Sequence, residues 1–127
     1  MTIIVLGPAL LDYANNTLPD KFLASGRPEL AEDYLHFALR LQPRSARLQG
    51  MLGDILAYQG KDQEAIAAYQ KALEIDEFLP WIHNNLGVLL MEEGDLDQAV
   101  DLFQSAIDLN PLQTSAYRNL GNAHYDQ

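Results

Sequence analysis

The sequence predicts an all-α fold, a solenoid of antiparallel helix pairs. Two observations predict it. Apolar residues fall at helical spacing in short runs punctuated by glycine and proline, and the pattern recurs at an interval of 34 residues. The clearest stretch is 86–111, LGVLLMEEGDLDQAVDLFQSAIDLNP. Leu86, Gly87 and Leu90 share one face of a first run. Ala99, Phe103, Ala106 and Ile107 share one face of a second. Gly94 and Asp95 separate the two, and Pro111 stops the second.

Moving back 34 residues takes Leu86-Gly87 to Leu52-Gly53, and Gly94 to Gly60 and then Gly26. Ala99 goes to Ala65 and Ala31, and Phe103 to Tyr69 and Leu35. Ala106 goes to Ala72 and Ala38, and Ile107 to Leu73 and Leu39. Pro111 meets Glu77, a departure, and then Pro43. Moving forward takes Leu86-Gly87 to Leu120-Gly121, and His83 to Tyr117. With His83 in place of Trp and Leu90 in place of Tyr, these residues resemble the tetratricopeptide repeat (TPR). That repeat is a helix–turn–helix unit patterned W-x2-L-G-x2-Y, then A-x3-F, then P. The resemblance covers roughly residues 12–127 and implies about three and a half repeats stacked as one TPR solenoid.

The residue types have physical reasons to recur. Glycine in the first helix and alanine in the second remove bulk where the pair crosses. The aromatic fills the space between neighbours. The glycine after the first helix supplies a permissive backbone for a C-cap.

Taken in order, residues 1–11, MTIIVLGPALL, are the least repeat-like. Thr2 to Val5 are poor helix formers, so a short extended arm is expected, then a helix from near Pro8. Residues 12–45 form a degenerate repeat. Leu18-Pro19 stands where Leu-Gly belongs, and an interior proline costs about 3 kcal/mol. A break at Asn15–Thr17 is expected, with Thr17 capping a new short helix and Asp20 completing a weak capping box. The second helix is clear, from Pro28 to a stop at Pro43. Residues 46–79 and 80–113 are full repeats, and Ser45 is the expected N-cap of the first. With Asp76 and Glu77 in place of the usual stop, the second helix of that repeat is expected to run to Phe78 before Pro80 starts the next. Residues 114–127 read as the first helix of a further repeat, a half repeat or cap. Its retained Leu120-Gly121 and Tyr117 imply a face meant for another helix, supplied by a continuing chain or by a second copy.

Composition narrows the function. The chain has 127 residues and fits one domain. Its formal net charge of −10 argues against a phosphate backbone as ligand. Residues 80–113 carry six acids and no Lys or Arg. That pattern reads as a solvated outer face before a docking surface. Without cysteine there is no thiol nucleophile or thiolate metal site. The apolar run at the start is too short to span a bilayer and lacks the marks of a signal peptide. No membrane insertion and a cytoplasmic location are therefore expected. His36, His83 and His124 make no metal-ligand pair with an acid. His83 and His124 are expected to be packing residues, as are Tyr69, Phe103 and Tyr117. No catalytic constellation, metal site or cofactor is expected.

What remains is the concave surface, which the resemblance places mainly on the first helices. It implies Arg47, Gly50, Met51, Asp54 and Ala57 from one repeat. From the next two come Trp81, Asn84, Asn85, Val88 and Met91, then Ser115, Arg118, Asn119, Asn122 and Tyr125. Amides donate and accept at once, so a row of asparagines can hold an extended peptide backbone. Asn85 and Asn119 form such a row, with Asn84 and Asn122 beside them. The row is similar to the asparagine ladder of O-linked N-acetylglucosamine transferases. The carboxylate clamp of Hsp70/Hsp90 co-chaperones fits poorly. Gly50 and Asp54 stand where it needs Lys and Asn, and only Asn85 and Arg118 match. The expected function is a non-catalytic protein–protein interaction module, a scaffold gripping a partner's peptide segment with Trp81, Asn84, Asn85, Val88, Met91, Arg118, Asn119, Asn122 and Tyr125. The alternatives are part of a larger glycosyltransferase-like enzyme that presents protein substrates, or a scaffold self-associating through its C-terminal helix.

Overall fold

A computed structural model describes residues 7–127. Among them run seven α-helices and no strand. They are α1 Pro8–Ala24, α2 Pro28–Leu41, α3 Ala46–Tyr58, α4 Asp62–Ile75, α5 Pro80–Glu92, α6 Leu96–Leu109 and α7 Thr114–Asp126. Each helix packs on the next, and α5 also meets α7, so the pairs stack in one direction as a solenoid. The expected arm over Thr2 to Val5 lies outside the described residues. Among those described, no helix is long and apolar enough to cross a membrane.

The helix ends follow from their residues. Pro8, Pro28 and Pro80 open α1, α2 and α5, where a missing N–H costs nothing. Ser45 Oγ accepts from Leu48 N at 3.2 Å and caps α3 as expected. Asp95 does the same for α6 through Gln98 N, at 3.2 Å. Three pairs close on one motif. Gly26, Gly60 and Gly94 have φ of 71°, 75° and 90°. The next N–H then reaches back to the helix: Arg27 to Phe22 O, Lys61 to Leu56 O and Asp95 to Leu90 O, at 2.8, 2.9 and 2.9 Å. A left-handed turn of this kind is open to glycine at little steric cost.

Glycine inside the helices works differently from the expectation of two helices simply crossing closely. The rings of Tyr69 and Phe103 lie over Gly53 and Gly87 of their own repeats, so the glycine makes room for the aromatic. In the first repeat both members change. Pro19 replaces the glycine and Leu35 the aromatic, and both are fully buried.

Two boundaries correct the sequence reading. Helix α1 is continuous through Pro19, with no break at Asn15–Thr17. Thr17 does not cap a new helix; its Oγ1 donates to Tyr13 O at 2.8 Å, inside α1. The fully buried proline ring contributes apolar burial against the lost helical hydrogen bond. Helix α4 stops at Ile75 rather than Phe78. Asp76 Oδ1 accepts from Phe78 N at 2.9 Å, a local turn that competes with another helical residue.

The core runs through the middle of the stack, from Leu35 through Leu52, Ile55 and Tyr69 to Ile82 and Leu86. Smaller clusters continue it through Phe103 with Ala123, and Ile107 with Ala116. Among the described residues α7 is the last helix, and one of its faces is uncovered. Leu56 and Leu90 are buried, but His124, at the same register position, is exposed. Tyr117 is 49% exposed. Both were expected to pack; no following second helix covers them among the described residues. His83 is half-buried, with Nε2 at 2.7 Å from Glu77 O.

Candidate functional site: the wall of the first helices

Helices α3, α5 and α7 stand side by side. A Cβ on Gly50 of α3 would run into the Trp81 indole and Ile82 of α5, so this glycine sets their approach. Along the same wall runs a row of polar side chains. Asn119 of α7 donates Nδ2–H to Asn84 Oδ1 at 3.0 Å. Asn84 donates to Asn85 Oδ1 at 3.2 Å, and Asn85 donates to Asp54 Oδ1 at 2.9 Å. The same Asp54 oxygen accepts the Tyr69 hydroxyl of α4 at 2.5 Å.

The direction of the row is set at its end. A carboxylate only accepts, so Asn85 turns its amide nitrogen to Asp54 and its oxygen is left for Asn84. Asn84 then offers its own oxygen to Asn119. Three amides thus point their donors toward one carboxylate, and such chains polarise one another. Burial raises the Asp54 carboxyl pKa above its ordinary value; the bonds from Tyr69 and Asn85 oppose this, and the charge of Asp20 adds to it. Burial first, and then the Asp54 charge, push the Tyr69 hydroxyl far above its ordinary value, so it remains a donor.

Beside Asp54 a cavity of about 270 Å³ opens between α3, α4 and α5. Ala57, Val88 and Leu89 give it apolar sides, and the 65% exposed Tyr58 stands at its edge. A larger hollow of about 660 Å³ lies between α2, α3 and α4. It mixes Glu32 and Glu64 with Arg40 and Lys71 and holds no directed row. Glu32 is already committed to Gln59 Nε2 at 2.8 Å and Lys61 Nζ at 2.9 Å, which hold its carboxyl below the usual value. The smaller cavity is therefore the better candidate.

The residues named from sequence are placed unevenly. Asn84 is buried, while Asn85 and Asn119 are half-buried; all three are joined, and bonded to one another rather than fully turned to solvent. Val88 reaches the cavity. Val88 and Met91 also pack on the Phe103 cluster. Trp81 is half-buried and packs against the core. Arg118, Asn122 and Tyr125 are exposed, Tyr125 at 90%, and no hydrogen bond among the described residues ties them to the row. Sequence reasoning missed Tyr58 and the hydroxyl of Tyr69. A signal for the latter was present. Asp54 and Tyr69 occupy the register of Val88 and Phe103 one repeat later, so in the next repeat both the carboxylate and the hydroxyl are absent.

A profile of the TPR family, described as TPR repeat, matches residues 53–94 and 87–127, which is more than half of the chain. The chain belongs to the tetratricopeptide repeat family. No curated protein matches its sequence. Among solved structures, this TPR chain is similar to a crystal structure of MamA, at 24% identity and a TM-score of 0.80. It spans 67% of that MamA chain and 62% of a second. It is similar to the first TPR of Spaghetti (RPAP3) bound to the HSP90 peptide SRMEEVD, at 15% identity and TM-score 0.82, covering 93% of this chain and 90% of that one. It is also similar to the Thermobaculum terrenum O-GlcNAc transferase, at 20% identity and TM-score 0.86, covering 98% of this chain but 24% of that one. At these identities the likeness shows the fold alone, a TPR solenoid.

Proposed function

We propose that this TPR chain is a non-catalytic interaction module that holds an extended segment of a partner protein along the wall of α3, α5 and α7, in a scaffold or assembly role. The row Asn119–Asn84–Asn85–Asp54 carries the reading. The amide nitrogens of the half-buried Asn85 and Asn119 each have two hydrogens and the row uses one, so donors remain for a peptide's carbonyl groups. Trp81, Val88 and Met91 supply adjacent apolar area, and Arg118, Asn122 and Tyr125 extend the wall on α7. That an RPAP3 domain of this fold is bound to an HSP90 peptide supports a peptide as the ligand class. The carboxylate clamp is not the mode here. Its lysine position is Gly50, roofed by Trp81, and Asp54 would repel a C-terminal carboxylate. The charge of −10 likewise disfavours nucleic acid.

The test is chemical-shift mapping of a peptide selected from a random displayed library. Perturbations at Asn85, Val88 and Asn119 support the reading. Perturbations confined to the acidic second helix α6 would move the site to the opposite face.

Two further roles have their own support. Tyr117 is half-exposed and nothing lies within 4 Å of a Cβ on Gly121. A second copy seated on this face of α7 would bury both, and sedimentation over a range of concentrations tests it. The likeness to a segment of an O-GlcNAc transferase supports a role in presenting protein substrates to a larger enzyme. An adjoining catalytic domain in the full-length gene would decide for it.

A further inference from the structure

We infer that Asp54 makes this groove selective for a basic segment, one Lys or Arg side chain entering the cavity with its cationic head on Asp54 Oδ2. The inference rests on the reading of the α3–α5–α7 wall as a peptide site and names the chemistry that the site accepts.

Both internal hydrogen bonds of Asp54 fall on one oxygen, Oδ1. Among the described residues Oδ2 has no hydrogen-bond partner, and Asp54 lines the cavity. Among the described residues no cation pairs with this carboxylate. The two ion pairs among the described residues both involve Glu32 of α2, which does not line this cavity. Arg47, the one base on α3, donates instead to Asn16 of α1. A half-buried carboxylate with one open oxygen and no countercharge is costly unless a ligand supplies the charge.

The cavity suits a long basic side chain. Its volume of about 270 Å³ exceeds what a single water needs. Ala57, Val88 and Leu89 offer apolar contact for an aliphatic stem, and the exposed Tyr58 lines the same cavity. The surroundings favour the same sign, since the charge of Asp20 also acts on Asp54. A purely structural Asp54, present to accept from Tyr69, would need only Oδ1. An asparagine provides that oxygen equally well.

This difference supplies the test. A phage-displayed library of random peptides is selected against the intact chain and against Asp54→Asn. Selected peptides are then measured by fluorescence anisotropy beside copies in which Lys or Arg is replaced by norleucine, which keeps the stem and loses the charge. The expected result is enrichment of Lys or Arg with wild type only. About a tenfold or greater loss of affinity should follow either change, the protein's or the peptide's. Thermal melting shows whether Asp54→Asn is folded; if it is not, the norleucine peptide on wild type still decides. Peptides that map to the wall without a basic residue, or that bind Asp54→Asn and the norleucine copies undiminished, would overturn the inference and leave the peptide groove standing. No enrichment at all would overturn both.

Discussion

The Phe103 ring lies across Gly87: a Cβ on that glycine would stand 2.7 Å from Cε1 and 3.0 Å from Cδ1 of the ring. The ring is fully buried and cannot swing away. Gly87→Ala is therefore expected to destabilise the chain by about 1–3 kcal/mol, despite alanine's better helix propensity. Ala99→Leu, in the same cluster and fully buried, should cost a similar amount for the same reason. Urea unfolding of both variants beside the parent measures this. Unchanged midpoints would mean that the Phe103 cluster is not packed as described.

Gly121 occupies the same register 34 residues on, and a Cβ there meets nothing within 4 Å. Gly121→Ala should thus keep only the propensity gain, a stabilisation of roughly 0.5–1 kcal/mol. The pair Gly87→Ala and Gly121→Ala gives opposite signs at one motif position. A loss of stability at Gly121 that grows with protein concentration would instead show that another copy covers α7.

This contrast marks what the sequence made legible. The helical solenoid, the three glycine turns and the Ser45 cap were legible, because each depends on residue types at local positions. Pro19 misled because the local rule for proline ignores burial. Its ring fits where Leu35, rather than an aromatic, faces it by register. Tyr117 and His124 misled because their burial depends on a following helix that their own positions do not encode. The asparagines were found but not their wiring. Asn119 bonds to Asn84 rather than to Asn85, its equivalent one repeat back. Spacing gives the repeat neighbour, whereas side-chain reach between stacked helices picks the actual partner.

The row should behave as a unit. Asn84 is 6% exposed and is both acceptor and donor. Asn84→Ala strands Asn85 Oδ1 and Asn119 Nδ2 together, and about 1–3 kcal/mol of stability should be lost. Asn119→Ala, at the open end, should cost less. Amide hydrogen exchange in α5 would show the difference, and equal effects at the two positions would argue against a directed row.

The Asp54 carboxyl gives stability a pH signature. Burial raises its pKa in the folded state above the unfolded value, with Tyr69, Asn85 and Asp20 as the groups facing it. The folded protein then holds the proton more tightly than the unfolded chain. The Asp54 contribution is therefore unfavourable above the folded pKa and is relieved as pH falls through it. Asp54→Asn should accordingly be at least as stable as the parent at neutral pH. Its advantage should shrink on acidification and vanish below the unfolded pKa. Melting temperatures of the two proteins across that range measure the effect. An advantage that grows as pH falls would reverse the sign and show a carboxylate stabilised by its surroundings.

The last prediction uses the chain as its own control. Asp54 with Tyr69 in one repeat stands where Val88 with Phe103 stands in the next. Tyr69→Phe removes one of two donors from a half-buried carboxylate, and hydrogen bonds to charged groups contribute about 1.5–3 kcal/mol. Asp54→Val leaves the Tyr69 hydroxyl and the Asn85 amide without their acceptor, a cost of about 1–3 kcal/mol. The double variant imports the apolar pair whole. Only Asn85 then lacks a partner, and its half-exposed amide can turn to water. The double should be more stable than the sum of the two single losses allows, by about 1–2 kcal/mol. Urea unfolding of all four proteins closes the cycle. Additive losses would mean that Asp54 and Tyr69 are not coupled, and the row would then end at Asn85 instead of at a carboxylate held from two sides.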